Sequence, residues 1–340
     1  MKKVVLTGDR PTGALHLGHY VGSLVKRVEL QETCETYIML ADAQALTDNY
    51  DDVGKVRSNI HEVVCDYLAV GIDPLKSSIF IQSCIPELPE LAMFYMNLVS
   101  IQHLGHNPTV KAECRQKGYN ESVPAGFYMY PIYQVADITA FKADLVPVGL
   151  DQAPMLELTR EIVGKFNRLY KKEVLVAPEP LYPNLKGSLP GTDGAKMSKS
   201  LGNAILLSDE LDQIVSKVKK VKSDPGRKSA TDPGNPDEAL AFSYLEVFDN
   251  EGQFVEELKE RYRRGTVSDK EVKDRLIQVL DAVIKPIRER RKLYHGDKDA
   301  VWAILKEGTD RAKEKASLTL SEVRSAMGIQ YKFPFVKIST

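Results

Sequence analysis

The strongest constraint on the fold is an alternation of short apolar runs with longer amphipathic patterns. Runs typical of buried strands lie at 4–7, 36–40, 78–82 and 145–148, and helical patterns lie at 16–28, 53–70 and 152–170. Strand–helix–strand repeats pack as a parallel sheet with helices on both faces. The sequence therefore predicts an α/β domain whose ligands bind beyond the carboxyl ends of the strands.

The strand-like runs stop after residue 207. Helical spacing alone continues at 211–221, 237–248, 254–264, 270–295 and 298–327. This change predicts a boundary between an α/β domain over residues 1–207 and an all-helical domain over 208–340. Inside the first domain, helical patterns at 86–104 and 127–141 predict an inserted helical segment at about 86–143. Residues 107–124 read as a flexible surface excursion, and the Pro- and Gly-rich stretch 178–194 as a loop.

Composition limits the class of protein. With 43% hydrophobic and 27% charged residues the chain is typical of a folded protein. Its net charge of −1 excludes a surface that is positively charged as a whole. Any nucleic-acid contact must come from a local patch, and one cationic cluster is interpreted either as such a patch or as a solvated helix face. It consists of Lys285, Arg288, Arg290, Arg291 and Lys292.

Cysteine spacing and the length of apolar runs bear on metals and on the cellular compartment. The four cysteines form no CxxC pair and have no His at zinc-ligand spacing, so we expect reduced thiols and no structural metal. No apolar run reaches the length of a membrane span, and the first one ends well short of a signal peptide. A cytoplasmic protein is expected.

A glycine-rich loop leads from the first predicted strand into the first predicted helix. Gly8, Gly13 and Gly18 permit close backbone approach, and His16 and His19 can face one ligand at the helix start. The free N–H groups of that helix start favour an anionic phosphate. The stretch is neither a GxGxxG fingerprint nor a P-loop, which argues against a dehydrogenase and a Walker-type NTPase.

A second candidate loop is formed by Lys196, Met197, Ser198, Lys199 and Ser200. Its two ammonium groups, with small hydroxyls between them and glycines nearby, suit a polyphosphate, although alone the stretch would be an ordinary solvated loop. HLGH followed much later by KMSKS, however, resembles the paired signatures of class I aminoacyl-tRNA synthetases. That resemblance implies adenylation, in which a carboxylate attacks the α-phosphate of ATP and magnesium pyrophosphate leaves. Catalysis then rests on positioning and on cation placement.

A carboxylate lies on an otherwise apolar helical pattern at Asp137. Gln134 and Asp137 fall on one face of that helix, with Tyr130 at its start. Such a carboxylate is costly unless it is paired. Asp137 therefore either caps a neighbouring element or accepts a hydrogen bond from a ligand, for which an aromatic amino acid with one N–H or O–H is suited.

Further stretches make the resemblance closer, and nearly the whole chain is similar to the bacterial tryptophanyl-tRNA synthetases. These stretches are residues 8–13, residues 16–22, Asp137 with Ile138, the GLDQ sequence at 149–152, and KMSKS. The resemblance implies a Rossmann-like catalytic domain, a helical anticodon-binding domain and a homodimer. It also implies L-tryptophan, ATP and tRNA(Trp) as substrates, with Mg²⁺ carried by ATP and not by a dedicated protein site.

The family motifs also assign site residues. As catalytic residues they imply Lys196, Lys199, His16 and His19. The residues matched to ATP binding are Arg10, Pro11, Thr12, Gly18, His19, Gly149, Leu150, Asp151, Leu189, Lys196, Met197, Ser198, Lys199 and Ser200. Those matched to the tryptophan pocket are Asp137, as acceptor of the indole N–H, with Gln134, Tyr130, Leu6 and Gln152.

Two positions depart from the bacterial pattern and leave alternatives open. Gln44 stands where many members carry His, and Gln134 where many carry Met. Gln134 makes the helix match the YxxxQxxD pattern of tyrosyl-tRNA synthetases, whereas Leu6, in place of their usual Tyr, favours tryptophan. A non-catalytic nucleotide-binding paralogue would not need both motifs. Adenylyltransferases with an HxGH helix are typically shorter and lack a helical appendage.

Overall fold

The computed structural model describes residues 2–119, 122–182, 189–199 and 201–331. Five strands form its central sheet: β1 (Val4–Asp9), β2 (Glu35–Leu40), β3 (Ser77–Ile81), β4 (Leu145–Pro147) and β5 (Glu179–Leu181). All neighbours are parallel, in the order β3-β2-β1-β4-β5. The apolar runs predicted as strands are therefore the buried centre of the fold.

Helices surround the sheet and fall into two groups along the chain. In the first group, α1 (Leu17–His19) continues through a π-helical turn (Tyr20–Leu24) into α2 (Val25–Thr33). The other helices of this group are α3 (Asp42–Asn49), α4 (Val53–Val70), α5 (Glu87–Met96), α6 (Ile101–His106), α7 (Pro108–Gln116), α8 (Ala125–Ala140) and α9 (Ala153–Tyr170). The second group is α10 (Leu211–Lys219), α11 (Leu240–Phe248), α12 (Gly252–Arg263), α13 (Asp269–Gly296) and α14 (Lys298–Met327). The predicted class, a Rossmann-like parallel sheet followed by helices, is confirmed.

Two segments predicted to be irregular contain regular structure. The prediction of a flexible excursion at 107–124 is wrong for the part of this segment that forms α7. Asn107 Oδ1 caps that helix by accepting hydrogen bonds from the N–H groups of Thr109 (3.0 Å) and Val110 (3.4 Å). The prediction of a loop at 178–194 is wrong for the part that forms β5, because this strand pairs with β4 at the edge of the sheet. Pro180 is tolerated there because an edge strand has one side without ladder bonds.

The strand order creates a crevice beyond the ends of β1 and β4. From β1 the chain moves outward to β2 and β3, whereas its later strands, β4 and β5, lie on the other side of β1. The segments that follow β1 and β4 thus diverge, which leaves a ligand-sized opening between them. That opening is lined by Asp9, Arg10, Thr12, Val148, Gly149 and Gln152.

The last helix covers the edge strand β3. At Gly308, α14 comes so close that an added Cβ would lie 2.0 Å from the carbonyl oxygen of Ile79. Thr309 Oγ1 accepts a hydrogen bond from the N–H of Ile81 at 3.4 Å. Because an uncovered edge presents unpaired backbone groups, α14, the last helix of the helical segment, protects the edge of the sheet at β3. The domain boundary near residue 207 stays a prediction.

Two central members of the cationic cluster on α13 make internal contacts, so the interpretation of the cluster as a phosphate-binding patch is wrong for these two, whereas Lys285, Arg290 and Lys292 are exposed. Arg288, 6% exposed, donates to the carbonyl oxygen of Asp209 at 2.8 Å, and Arg291 Nε donates to Asp66 on α4 at 2.6 Å. Arg290 Nε also donates to the backbone, at Ala69 O. The sequence gives the sign of the charge on a helix face, but only the packing shows which residues that face contacts.

The close approach of α14 to β3 predicts opposite effects for two identical substitutions. Gly308→Ala should lower the free energy of unfolding by about 1–3 kcal/mol, because its methyl group has no room against the backbone of Ile79. Gly164→Ala on α9, where an added Cβ meets nothing within 4 Å, should raise it by about 0.5–1 kcal/mol through helix propensity. Urea unfolding of both variants checks this, and equal stability of Gly308→Ala and wild type would contradict it.

Candidate active site

A cleft of about 470 Å³ opens beyond the carboxyl ends of β1 and β4. Residues of both predicted sets line it. From the ATP set these are Arg10, Thr12, His19 and Gly149, and from the tryptophan set all five, Leu6, Tyr130, Gln134, Asp137 and Gln152. Motifs that are far apart in the sequence therefore meet in one cavity.

Asp137 is the buried carboxylate of the cleft, only 1% exposed. Gln82 Nε2 donates to both of its oxygens at 2.9 Å, and Gln82 Oε1 accepts the backbone N–H of Gln44 at 3.0 Å. Burial raises the pKa of Asp137 to about 7, against the effect of the Gln82 hydrogen bond. Gln82 thus fixes the carboxylate, a role the sequence did not reveal. The available signal was an amide at the carboxyl end of a buried strand.

The walls around Asp137 are apolar and aromatic. Leu6 and Met39 come from neighbouring strands, and the rings of Phe127 and Tyr130 meet edge to face with centroids 5.5 Å apart. Burial, with Glu113 nearby, raises the pKa of Tyr130, so its hydroxyl stays protonated. Such walls suit a flat apolar ligand, and a single donor on that ligand can reach the carboxylate.

A buried ion pair holds the loop after β1. Arg27 NH1 lies 2.7 Å from Asp9 Oδ2, and the Tyr67 hydroxyl donates to the same oxygen at 2.7 Å. Burial by itself would raise the pKa of Asp9, but Arg27 and its neighbours hold it at about 2. The sequence did not indicate Arg27 or Tyr67, because they lie 18 and 58 positions from Asp9.

The two histidines of HLGH lie together. Their ring centroids are 3.8 Å apart, and the backbone N–H of His16 donates to His19 Nδ1 at 3.3 Å. Burial, assisted by His19 and Lys199, lowers the pKa of His16 to about 3, and burial also lowers the pKa of His19. His19 lines the cleft, whereas His16 is 8% exposed. With its pKa at about 3, the His16 imidazole is not a cation near pH 7.

The two lysines of KMSKS occupy different places. Lys199 lies against Gly13, where φ is +155° and an added Cβ would be 2.6 Å from Nζ. Burial lowers the pKa of Lys199, although nearby carboxylates oppose this. Lys196 is exposed and lines a separate cavity of about 510 Å³ with Asp151. The structure therefore brings Lys199, but not Lys196, to the HLGH loop.

Asn203 organises the lysine loop from just beyond it. Its Oδ1 accepts the N–H of Ser198 at 2.7 Å, and its Nδ2 donates to Asp193 (2.8 Å) and to the carbonyl oxygen of Lys196 (3.2 Å). Gly191 leaves the space for that side chain, since an added Cβ would lie 2.4 Å from it. Sequence reasoning missed Asn203, although it follows Gly202 directly after the motif.

A short backbone ladder joins the two motifs. Leu17 N–H donates to Ile205 O at 2.9 Å, Leu207 N–H donates to Leu15 O at 3.0 Å, and His16 bridges Leu206 antiparallel. The segment after KMSKS is therefore paired to HLGH itself. This pairing fixes the base of the lysine loop relative to the cleft.

The remaining residues of the ATP set take varied positions. Pro11, Leu189 and Met197 are buried, so their side chains support the two loops from beneath. An added Cβ at Gly18 would lie 3.5 Å from Met197 Sδ, so Gly18 marks the contact of the two motifs. Leu150 and Asp151 are exposed at the turn after β4, and Ser200 lies outside the described residues.

Comparison with known proteins identifies the family. A family model described as tRNA synthetases class I (W and Y) matches residues 2–285. The tryptophan–tRNA ligase of Clostridium longisporum is 54% identical over 334 residues, 97% of this chain and 98% of that protein. The ligase of the same name from Streptococcus pneumoniae is 52% identical over 337 residues, 97% of this chain and 99% of that protein.

A solved structure agrees with these relatives. Tryptophanyl-tRNA synthetase from Campylobacter jejuni, complexed with ADP and tryptophan, matches with a TM-score of 0.84 and 29% identity, over 96% of this chain and 99% of that one. The family and the choice of tryptophan over tyrosine, both predicted from the sequence, are confirmed. Because it matches the family model over most of its length and these ligases almost end to end, the chain belongs to the class I aminoacyl-tRNA synthetases and, within them, to the bacterial tryptophan–tRNA ligases.

Proposed function

We propose that the cleft binds L-tryptophan and ATP together, forms tryptophanyl-adenylate with release of pyrophosphate, and then transfers tryptophan to tRNA(Trp). The observation that carries this assignment is the meeting of a buried carboxylate, Asp137, with the HLGH loop in one cavity. An apolar wall with one acceptor suits an indole, and a loop that presents an imidazole beside the ammonium group of Lys199 suits phosphates.

Asp137 recognises the indole N–H, and Gln82 keeps its carboxylate turned toward the ligand. Without a donor from the ligand, the buried carboxylate has the Gln82 amide as its hydrogen-bond partner among the described residues. An amino acid whose ring lacks a donor would leave that group poorly paired, which is an effective basis for rejection. Leu6, Tyr130, Gln134 and Gln152 complete the pocket.

Adenylation needs positioning and charge stabilisation in this site. A carboxylate oxygen of tryptophan attacks the α-phosphorus of ATP, and the bond from that phosphorus to the pyrophosphate oxygen breaks. Lys199 and Lys196 stabilise the departing negative charge, and the His19 side chain contacts the α-phosphate. No general base is required, because the attacking carboxylate is already ionised. In the second step a ribose hydroxyl of tRNA attacks the adenylate carbonyl, and AMP leaves.

Magnesium enters as part of the nucleotide substrate. Two carboxylates that line the cleft are already paired: Asp9 with Arg27, and Asp48 with Arg10 (2.7 Å) and Lys117 (2.8 Å). Phosphate oxygens of ATP are therefore the ligands we assign to Mg²⁺, and no protein site for it is proposed.

The partners follow from the family. We assign anticodon binding to the helical part, residues 208–340, and a homodimer to the inserted segment. Exposed apolar side chains on α5 and at the start of α6, namely Met93, Met96 and Ile101, support that dimer surface.

No helix in the described part of the chain is long and apolar enough to cross a membrane. We place the enzyme in the cytoplasm, where aminoacylated tRNA is used.

Exchange of pyrophosphate into ATP, with each aromatic amino acid offered singly, tests the substrate. Exchange with tryptophan should be at least about 10³-fold more efficient than with tyrosine, since the phenol loses apolar contact and misplaces its hydroxyl. Asp137→Ala should weaken tryptophan binding by about 2–4 kcal/mol, and Asp137→Asn, which keeps a carbonyl oxygen, by less. Equal activation of tyrosine would contradict the proposed pocket.

The lysine loop predicts a loss of rate and not of tryptophan binding. Lys199→Ala and Lys196→Ala should each lower kcat for adenylate formation by about 10²-fold or more, because the cation stabilises the leaving group in the transition state. Lys222→Ala is the matched control, since this exposed lysine lies beside Gly194 of the same region but outside the site. Single-turnover rates near wild type for both motif variants would remove the loop from the mechanism.

The raised pKa of Asp137 predicts a pH dependence of tryptophan affinity. The indole N–H donates to the ionised carboxylate, so affinity should rise as pH increases through the pKa of about 7 and then level off. Between about pH 6 and pH 8 the change should approach tenfold, following the ionised fraction. Calorimetric titration checks this, with Asp137→Asn as the control that cannot titrate. The same slope in that variant would assign the effect to another group.

A further inference from the structure

A cluster of metal-ligating side chains lies at the contact of α4 and α13, outside the proposed reaction. It consists of His61 and Glu62 on α4 and His295 near the end of α13. Their donor atoms all lie within 4.8 Å of one another. The sequence gives no sign of the cluster, because His295 and Glu62 are 233 positions apart.

The distances within this cluster match those between ligands of one ion. Glu62 Oε1 lies 3.2 Å from His295 Nε2 and 3.7 Å from His61 Nδ1. Donors that bind a tetrahedral ion at about 2.0–2.1 Å are themselves separated by about 3.3 Å, so small side-chain rotations bring the three donors into place. His295 is 48% exposed and Glu62 32% exposed, so an ion can enter from solvent.

Neighbouring residues prepare the donors for this role. Glu62 Oε2 accepts a hydrogen bond from Arg291, which leaves Oε1 directed at the imidazoles. Arg291 also pairs with Asp66, so its guanidinium links the two carboxylates of α4. A carboxylate held by such a hydrogen bond, beside two imidazoles, is the ligand arrangement that outer contacts commonly support in metal sites.

We propose that His61, Glu62 and His295 bind one divalent transition-metal ion of the Zn²⁺ class, with a fourth position open to water. Two imidazoles and one carboxylate favour such an ion over Mg²⁺ or Ca²⁺, which take oxygen ligands. The ion joins α4, which packs beside the sheet, to the end of α13. Its binding therefore stabilises the contact between these two helices.

Titration of the chelator-treated full chain with ZnCl₂ tests the proposal. We expect one equivalent to bind wild type, and His295→Ala and His61→Ala each to weaken binding at least about tenfold. Zn²⁺ should also raise the thermal unfolding midpoint of wild type but not of His295→Ala. His295 is exposed, so its variant keeps the test valid if the more buried His61→Ala fails to fold.

Two control variants separate this site from adventitious binding. His103→Ala breaks a His–Glu pair with Glu161 (3.0 Å) that belongs to no three-donor group among the described residues, so it should leave Zn²⁺ binding unchanged. Cys84→Ser removes an exposed thiol and should also leave it unchanged. Absence of stoichiometric binding, wild-type affinity in both cluster variants, or loss of binding with Cys84→Ser would each overturn the proposal.

Discussion

The carboxylate of Asp66 is the contact on which the arrangement of the site depends. Fully buried in α4, it accepts the N–H of Leu15 at 2.7 Å and pairs with Arg291 of α13 at 2.6 Å. Removing one partner of such a buried pair typically costs about 3–5 kcal/mol, so the HLGH loop, α4 and α13 are held in one relative position. Because Leu15 also pairs with Leu207, the base of the lysine loop belongs to the same unit.

Two other carboxylates, Asp9 (half-buried) and Asp137 (buried), show how the fold divides the tasks of the cleft. Asp9 pairs with Arg27, which helps hold its pKa at about 2, so it is a permanently ionised anchor for the loop after β1. Asp137 has the Gln82 amide as its hydrogen-bond partner among the described residues, and burial raises its pKa to about 7. The charge of the first carboxylate is balanced by the protein, whereas the second has no cationic partner among the described residues, in line with the ligand-binding role proposed above. Environments that separate the pKa values of like groups often mark their roles.

The sequence by itself determined the fold class, the family and most of the candidate site. Periodicity placed four of the five strands, since buried strands must be apolar over their length, and the HLGH and KMSKS stretches carried the resemblance that the relatives confirm. These features depend on local composition and on residue order, both of which can be read directly from the sequence. Asp137 could be selected for the same reason, as a lone carboxylate on an apolar helix.

Tertiary structure alone decided which side chains pair across long separations. Gln82 beside Asp137, Arg27 beside Asp9 and Asn203 under the lysine loop acquire their roles only through packing. The arginines of α13 show the opposite case, because members of a cluster that is cationic in the sequence are paired inside the fold: Arg291 with carboxylates of α4, and Arg288 with Glu210 and Asp281. Likewise, α14 returns to cover β3, which helical spacing alone cannot specify. Contacts between residues that are far apart in the sequence are not specified by local composition, so these partners can be identified only in the folded structure.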